Sequence, residues 1–598
     1  MQKVLILENN FVIFLILILL SFILFSNGAG GGFVFDDRTI ITGNPMVESI
    51  SGTFRTFVNP YHYARPQSGL YRPLALASYT LNWQFSKNPA SFHFVNIFLQ
   101  GLIGYLIFVV VLKLKDRATA ILSSVIFLFL PIHVEAVTSI VGRAELLSVL
   151  FFLLALYSGL KERYAGASFF FLLALFSKET SVAFIPVFIF LEFFWKKKNP
   201  AVIAKNLLFF LPAVFIYVFL RYLALGAEYF INNSAYSFFN PIRTADFFPG
   251  LWTAFKTLFI YLQKTVFLTY FSSDYSFSQI QVVYNLWQSW QALAGILLFL
   301  FLIYLSVKKR AGLIGLGSLI FLVSYFVISN LAFKIGTILA ERLMFLPSLG
   351  LVLMVSGLTV DIYRKHPKAK KLFVVLFSLV LSFYAAQIVR GNAIWKDEKT
   401  LFENAYKHAP DSVVNMSNKA SVLFREGKTE EALEKLKLAF EIEPKNSPAL
   451  HLAGRIYLAA DEKEKAEKFW KDAVEAQPDY LYPYLSLGAL YYKDGNFKAG
   501  EEITSLANKM YATPNVITLL ALNKVGLKKN SEAIGIIEKY FGKKPKELEL
   551  RYVLGAAYLK SGLINEARGL LLDLKGPNLS EKDFFDLIKK TEIFEVEI

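Results

Sequence analysis

The 598-residue sequence predicts an all-α protein in two parts, a polytopic membrane helix bundle followed by a soluble helical solenoid. Three observations carry this reading. Hydrophobic residues make up 55% of the chain and aromatics 16%, and the apolar residues fall in blocks such as 11–25, 94–112, 292–305 and 372–386. Blocks of that length flanked by basic residues read as membrane helices. The charge is uneven along the chain, and from about residue 413 one pattern returns every 34 residues.

The formal net charge of +16 does not point to nucleic acid. From Trp395 onward there are 31 basic and 32 acidic residues, whereas the residues before it hold 32 and 15. The excess sits in short loops between apolar blocks, at Lys113/Lys115/Arg117, Lys161/Arg163, Lys196 to Lys198, Lys308 to Arg310 and Arg364 to Lys371. This is the positive-inside pattern, which places those loops in the cytoplasm, and no nucleic-acid partner is expected. The chain has no cysteine, so disulfides, thiolate catalysis and Cys-ligated zinc are excluded.

Eleven helices follow in order, about 10–27, 94–113, 117–133, 145–160, 164–178, 180–196, 205–224, 288–307, 311–330, 344–360 and 372–390. The first is read as a retained helix rather than a cleaved signal, because no clean cleavage box follows it. With the basic loops inside, the N-terminus is cytoplasmic and residue 391 emerges outside. Residues 28–92 are expected as a long first outer loop, rich in Tyr, Pro and Asn. The stretches 131–145, 225–287 and 331–343 share its face. Within the second of these, 251–270 is amphipathic and interrupted by Lys256, Gln263 and Lys264, so it is expected to lie on the membrane surface. These spans form a domain over 1–391, followed by a linker at 392–412.

The repeat is regular. Ala432, Ala466, Gly500, Ala533 and Ala567 are spaced 34, 34, 33 and 34 residues apart, and Pro444 and Pro478 are also 34 apart. Leu423, Tyr457 and Tyr491 hold one fixed place; Ala420, Gly454 and Gly488 hold another. Small residues at fixed positions let paired helices approach closely. This is the tetratricopeptide period, and about five repeats are expected over 413–578, with a capping helix and tail at 579–598. Stacked helix pairs make a surface for a peptide or partner protein.

The residues before Trp395 that could carry chemistry are few. Asp36 and Asp37 stand side by side just past the first span, and a carboxylate pair beside a membrane is costly unless it is solvated, paired or used. Several acids fall beside cations at helix ends, as Arg143/Glu145, Lys178/Glu179 and Glu341/Arg342. A carboxylate there could take a proton from an acceptor hydroxyl while the cations hold the phosphate of a lipid-linked donor as it leaves. Arginine suits bidentate phosphate contact. The plainer alternatives are a solvated helix exit for Asp36/Asp37 and interfacial ion pairs for the others, each worth at most about 1 kcal/mol when exposed. His93 and His133 could be ligands or bases, but six histidines and no cysteine give a metal site little support. Arg72 could reach donor or acceptor.

The segment Phe35-Asp36-Asp37-Arg38, followed by Tyr71-Arg72-Pro73-Leu74 and Phe92-His93-Phe94-Val95-Asn96, resembles the integral-membrane glycosyltransferases of the C superfamily (GT-C). Within them it is most similar to the transmembrane-and-TPR-repeat O-mannosyltransferase family. The likeness continues in order through Pro131 to Val137, Val141 to Leu147, Ser177-Lys178-Glu179-Thr180, Asp274-Tyr275-Ser276 and Glu341 to Ser348. The resemblance implies inverting transfer of a mannose-like hexose from a polyprenyl-phosphate donor to a protein hydroxyl. It implies that the acidic pair holds the base, by position Asp36, with Asp37 helping to place the acceptor. Related enzymes carry Asp-Glu where this chain has Asp-Asp. Donor or substrate contacts are then expected at Arg72, His93, Arg143, Glu145, Lys178, Glu179, Glu341 and Arg342, with no metal and no other cofactor. The repeats would recruit the acceptor protein or a partner enzyme; the alternatives are transfer to a glycolipid or polysaccharide acceptor, or a non-enzymatic membrane-anchored repeat scaffold or lipid transporter. The Cys-free, Lys- and Phe-rich composition reads as bacterial, which implies an undecaprenyl carrier. The site and repeats would then lie outside the cytoplasmic membrane; in a eukaryotic chain the membrane would be that of the endoplasmic reticulum.

Overall fold

The computed structural model describes residues 9–63, 68–231, 239–267, 270–366, 368, 370–545 and 547–571. It divides into two compact units, 1–418 and 419–598. Every regular element among the described residues is helical. The expected capping helix at 579–598 lies outside the described residues.

The first unit opens with helix α1, Asn10–Phe25, N-capped by the Asn9 side chain. Short turns follow, then α2 (Pro73–Phe85), α3 (Pro89–Leu114), α4 (Arg117–Leu128) and α5 (Val134–Thr138). Next come α6 (Arg143–Leu160), α7 (Tyr164–Ser177), α8 (Phe184–Phe190), α9 (Pro200–Leu207), α10 (Leu211–Ile231) and α11 (Phe247–Val266). The unit continues with α12 (Trp290–Lys308), α13 (Leu313–Ile328), α14 (Phe345–Lys365), α15 (Lys370–Ile394) and α16 (Glu398–His408).

Each of the eleven expected blocks is helical, but their number as single spans differs. Seven helices among the described residues are long and apolar enough to cross a membrane. An eighth is gained when α4 and the Pro131–Thr138 segment, bent by 56°, are taken as one. Proline supplies that break: it has no N–H to continue the ladder and starts the second segment instead. Helices α7 and α13 are shorter apolar helices, and the expected 180–196 helix is split into three pieces. Helix α11 buries one face, from Gly250 through Thr257 and Tyr261 to Lys264, and is not among the spans.

Lipid-facing surfaces explain the composition. On α1, Phe11, Leu15, Leu19 and Ile23 form an i, i+4 stripe with exposures of 48–63%, while Ile13, Leu17, Ser21 and Leu24 pack inward. Such a stripe is unfavourable in water and neutral in hydrocarbon. Helices in lipid associate through close backbone approach, and α13 and α14 do so at a glycine pair. A Cβ on Gly317 would stand 2.4 Å from the Gly350 carbonyl oxygen, and one on Gly350 would stand 2.3 Å from that of Gly317. The chain is therefore a multi-pass membrane protein.

The expected first outer loop is more ordered than its composition suggests. It contains α2, whose Ala75, Leu76, Tyr79 and Thr80 are fully buried. The expected linker also holds a helix, α16, N-capped by Asp397 with Leu401, Phe402 and Ala405 buried.

Among the described residues the repeat helices form five pairs. They are α17/α18 (Val413–Arg425, Thr429–Ile442), α19/α20 (Ser447–Ala459, Lys463–Ala476) and α21/α22 (Leu481–Lys493, Phe497–Met510). The last two are α23/α24 (Pro514–Gly526, Asn530–Phe541) and α25/α26 (Leu548–Lys560, Ile564–Leu571). The small residues sit at the tightest crossings: a Cβ on Gly454 would meet the Trp470 ring at 2.3 Å. Ala432, Ala466, Ala533 and Ala567 are wholly buried. Between the helices of each pair one residue has positive φ, namely Gly427, Asp461, Gly495, Lys528 and Gly562.

Candidate functional site

The acidic pair lies on a sharp turn after α1. Phe35 has φ +54°, in the left-handed region that non-glycine residues rarely adopt, and its ring packs edge-on against Phe402 of α16 at 5.9 Å. Nearby, Arg38 pairs with Glu398 at 3.1 Å and the Gly32 amide donates to the Lys396 carbonyl at 3.0 Å. The start of α16 thus holds the turn from one side.

The two aspartates differ in environment. Asp37 is fully buried. Its Oδ2 accepts from the Val34 amide at 3.1 Å and its Oδ1 from the Val141 amide at 2.9 Å, so it pins the turn to the segment before α6. Burial pushes its carboxyl up to about 7, although these backbone N–H groups favour the ionised form. Asp36 is half-buried and accessible. Its charge acts on the guanidinium of Arg342 and on Tyr61.

Near Asp36 the chain gathers ion pairs from five separate segments. Arg342 donates its backbone N–H to Glu135 Oε2 at 2.8 Å and its Nη1 to Oε1 of the same carboxylate. Glu135 lies on the short segment that Pro131 starts, bent by 56° from α4. The Arg342 side chain keeps 29% exposure, so part of its donor fork stays open. Arg72, just before α2, makes a two-pronged contact with Glu179, Nε to Oε2 at 3.1 Å and Nη2 to Oε1 at 2.7 Å. Burial opposes the Arg72 charge, yet Glu179 keeps it firmly protonated. Lys178 is extended where α7 ends and pairs with Glu145 of α6, both side chains being buried. The charges of Glu145 and Arg342 also act on each other, which joins these pairs into one cluster.

Glu341 is buried and faces inward from Arg342. It accepts from the Tyr275 hydroxyl and from the Ser272 amide at 3.3 Å, and it lies 3.7 Å from Lys264. Lys264 is itself stacked over the Tyr270 and Tyr275 rings, at 3.8 and 4.5 Å. Asp274, in the same loop, accepts from Ser276 and from the Ser412 hydroxyl at 2.7 Å, and burial raises its carboxyl. The sequence reading noted Lys264 only as an interruption; its i+3 distance from Tyr261, on the buried face of an amphipathic helix, was the available signal.

Two expected contact residues take other places. Arg143 is almost fully buried, and four of its N–H groups are spent inside the protein. Nε donates to Asn96 at 2.8 Å, Nη1 to the Ser78 carbonyl at 3.2 Å, and Nη2 to Asn82 at 2.9 Å and the Phe92 carbonyl at 3.0 Å. Its guanidinium also lies over the Tyr79 and Phe92 rings. Arg143 therefore ties α2, α3 and α6 together, and the phosphate contact expected of it does not fit. His93 is buried beside Gly31, with neither ring nitrogen hydrogen-bonded within the protein. His133 bonds the Ser348 hydroxyl at 2.8 Å between the Phe127 and Phe345 rings, as a packed core histidine would.

Fold and site together define a multi-pass helical membrane protein with an accessible carboxylate whose charge acts on a partly exposed arginine, joined in sequence to a tetratricopeptide array. Comparisons with known proteins agree. The tetratricopeptide repeat family matches residues 423–482. The chain is homologous over most of its length to proteins named protein O-mannosyl-transferase, as the ordered motifs imply. It is 27% identical over 455 residues to protein O-mannosyl-transferase F38B6.6 of Caenorhabditis elegans, covering 72% of this chain and 62% of that protein. With protein O-mannosyl-transferase TMTC3 of Homo sapiens it shares 25% over 536 residues, 80% of this chain and 58% of that one. With TMTC1 of Homo sapiens it shares 27% over 490 residues, 71% and 54%. The chain thus spans about six tenths of the length of the curated relatives it matches.

Proposed function

We propose that the chain is a glycosyltransferase that moves a mannose-like hexose from a polyprenyl-phosphate donor to a Ser or Thr hydroxyl of an extracytoplasmic protein, with inversion. One observation carries this reading: of two adjacent aspartates one is consumed by backbone amides, while the other is open and acts on an arginine with unspent donors. Asp36 takes the proton of the acceptor hydroxyl as its oxygen attacks the anomeric carbon. The bond from that carbon to the phosphate oxygen breaks, and the Arg342 fork steadies the charge that develops on the lipid phosphate. Glu135 aims Arg342. The partly exposed Arg72–Glu179 pair lines the approach, and the buried Lys178–Glu145 pair supports the cluster. This reading invokes no resident metal: the Arg342 guanidinium matches the single negative charge of the donor's phosphodiester.

The names of the relatives support a protein acceptor, and the repeats support protein–protein contact as the means of recruiting it or a partner enzyme. We take the membrane to be the bacterial cytoplasmic membrane, with the site and repeats on its outer side.

The test is sugar transfer in nanodiscs from a panel of polyprenyl-phosphate sugars to Ser/Thr peptides. Asp36→Asn is expected to lower transfer by about 1,000-fold, the scale of general-base loss, without loss of fold. Transfer at the wild-type rate by a folded Asp36→Asn protein would sink this mechanism. Transfer to lipid with none to peptide would move the acceptor assignment to a glycolipid.

A further inference from the structure

We propose that the face of the membrane unit opposite the candidate site holds an anionic phospholipid. Its headgroup would lie on the loops at 195–198 and 308–310, and its acyl chains along α12. The inference uses only the membrane character of the chain, so it stands or falls separately from the transfer reaction.

The two faces are distinguished by the helices themselves. The candidate site lies where α6 begins and α7 ends, at Glu145 and Lys178. The opposite ends of those helices are joined by 161–163, and three loops meet there. Glu162 receives Lys198 at 2.7 Å and Lys196 at 3.6 Å. Glu192, buried, receives Lys196 at 2.8 Å, Lys198 at 3.1 Å and the Asn206 amide at 2.8 Å. The Trp195 indole donates to the Arg310 carbonyl at 3.1 Å, and the Arg310 guanidinium lies 5.2 Å over the Phe194 ring. The platform is therefore fixed, and both local acids are spent on Lys196 and Lys198.

What is left is positive. Lys197, Lys308, Lys309 and Arg310 are exposed, and none has an acidic partner among the described residues. They sit at the end of an apolar stripe. Leu297, Phe301 and Tyr304 are exposed on α12 at i, i+4 and i+7, and Lys308 continues the same face one turn on. A phospholipid presents the same order, acyl chains and then a phosphate. The unpaired cations select a lipid with net negative charge over a zwitterionic one, and the stripe selects a lipid over free phosphate.

Full-length protein in mild detergent is offered phosphatidylglycerol or phosphatidylcholine, and retained lipid is counted by native mass spectrometry beside the thermal midpoint. Wild type should keep phosphatidylglycerol preferentially and melt higher with it, while inorganic phosphate alone leaves the midpoint in place. Changing Lys197→Gln, Lys308→Gln, Lys309→Gln and Arg310→Gln together should weaken retention by roughly 100-fold or more, the summed effect of four juxtamembrane cations. Should that variant fail to fold by circular dichroism, Lys309→Gln alone should weaken it about fivefold. Equal retention of the two lipids by wild type, or an undiminished preference in a folded variant, overturns the proposal. So does a midpoint shift with inorganic phosphate as large as that with lipid.

Discussion

Lys178 and Glu145 form an ion pair in which neither side chain keeps more than 4% of its surface. Their helices, α7 and α6, are adjacent in the chain and pack against each other along their length. Breaking such a pair leaves one buried charge without compensation, at about 3–5 kcal/mol. Lys178→Met and Glu145→Gln should each destabilise the unit on that scale. The double variant should recover more than half of the loss, measured as thermal midpoints in detergent. Recovery of stability without recovery of donor KM would show that Lys178 also serves the donor.

The pH dependence of stability should carry the signature of Asp37. Its carboxyl rises from an ordinary 3.8 to about 7 on folding, so the folded chain holds this proton more tightly. Its stabilising contribution is then complete below about pH 4 and is lost as pH rises through 7. Wild type should lose stability across that window relative to Asp37→Asn, whose profile lacks this slope. Thermal midpoints from pH 4 to 8 decide it; parallel profiles would show that Asp37 is ionised throughout.

At the glycine crossing of α13 and α14, any side chain must push backbone against backbone. Gly350→Leu should cost about 3 kcal/mol or more, the upper range for overpacking, because no flexible side chain can yield. The measurement is the yield of monodisperse protein and its midpoint, with half-buried Gly312→Ala, where a Cβ would come no nearer than 3.8 Å to the Lys309 carbonyl oxygen, as the tolerated control.

In the repeats, three of the five turns between paired helices carry glycine at the positive-φ position, whereas Asp461 and Lys528 occupy it at φ +59° and +61°. Lys528→Gly should stabilise the array by about 1 kcal/mol, and Asp461→Gly by less, since aspartate tolerates this region better. Urea unfolding followed at buried Trp470 would show both.

The helices of both units were legible from apolar blocks and from the 34-residue period, because those signals are local. Helix α2 was not, since its Tyr79, Asn82 and Trp83 read as loop until α3 and α6 cover them. Arg143 looked like a phosphate ligand because a sequence displays its charge but not the Asn82, Asn96, Ser78 and Phe92 oxygens that surround it. Asp36 and Asp37 were found together, yet their inequality depends on the Val34 and Val141 amides, one of them more than a hundred positions away. The spacing of Lys264 from Tyr261 signals a buried helix face, but its place beside Glu341 depends on how α11 packs.

The left-handed Phe35 makes the acidic turn a matter of counting. Two identical side chains in succession point to different surroundings, and only their order relative to Phe35 tells them apart. A point substitution at 36 or 37 alters one carboxylate and spares the other. Deleting Asp36 would bring the amide-bound acid into the open place and set Arg38 under the amides, and inserting one residue after Phe35 would carry the open acid under the amides instead. Length, more than composition, is the property this segment must keep.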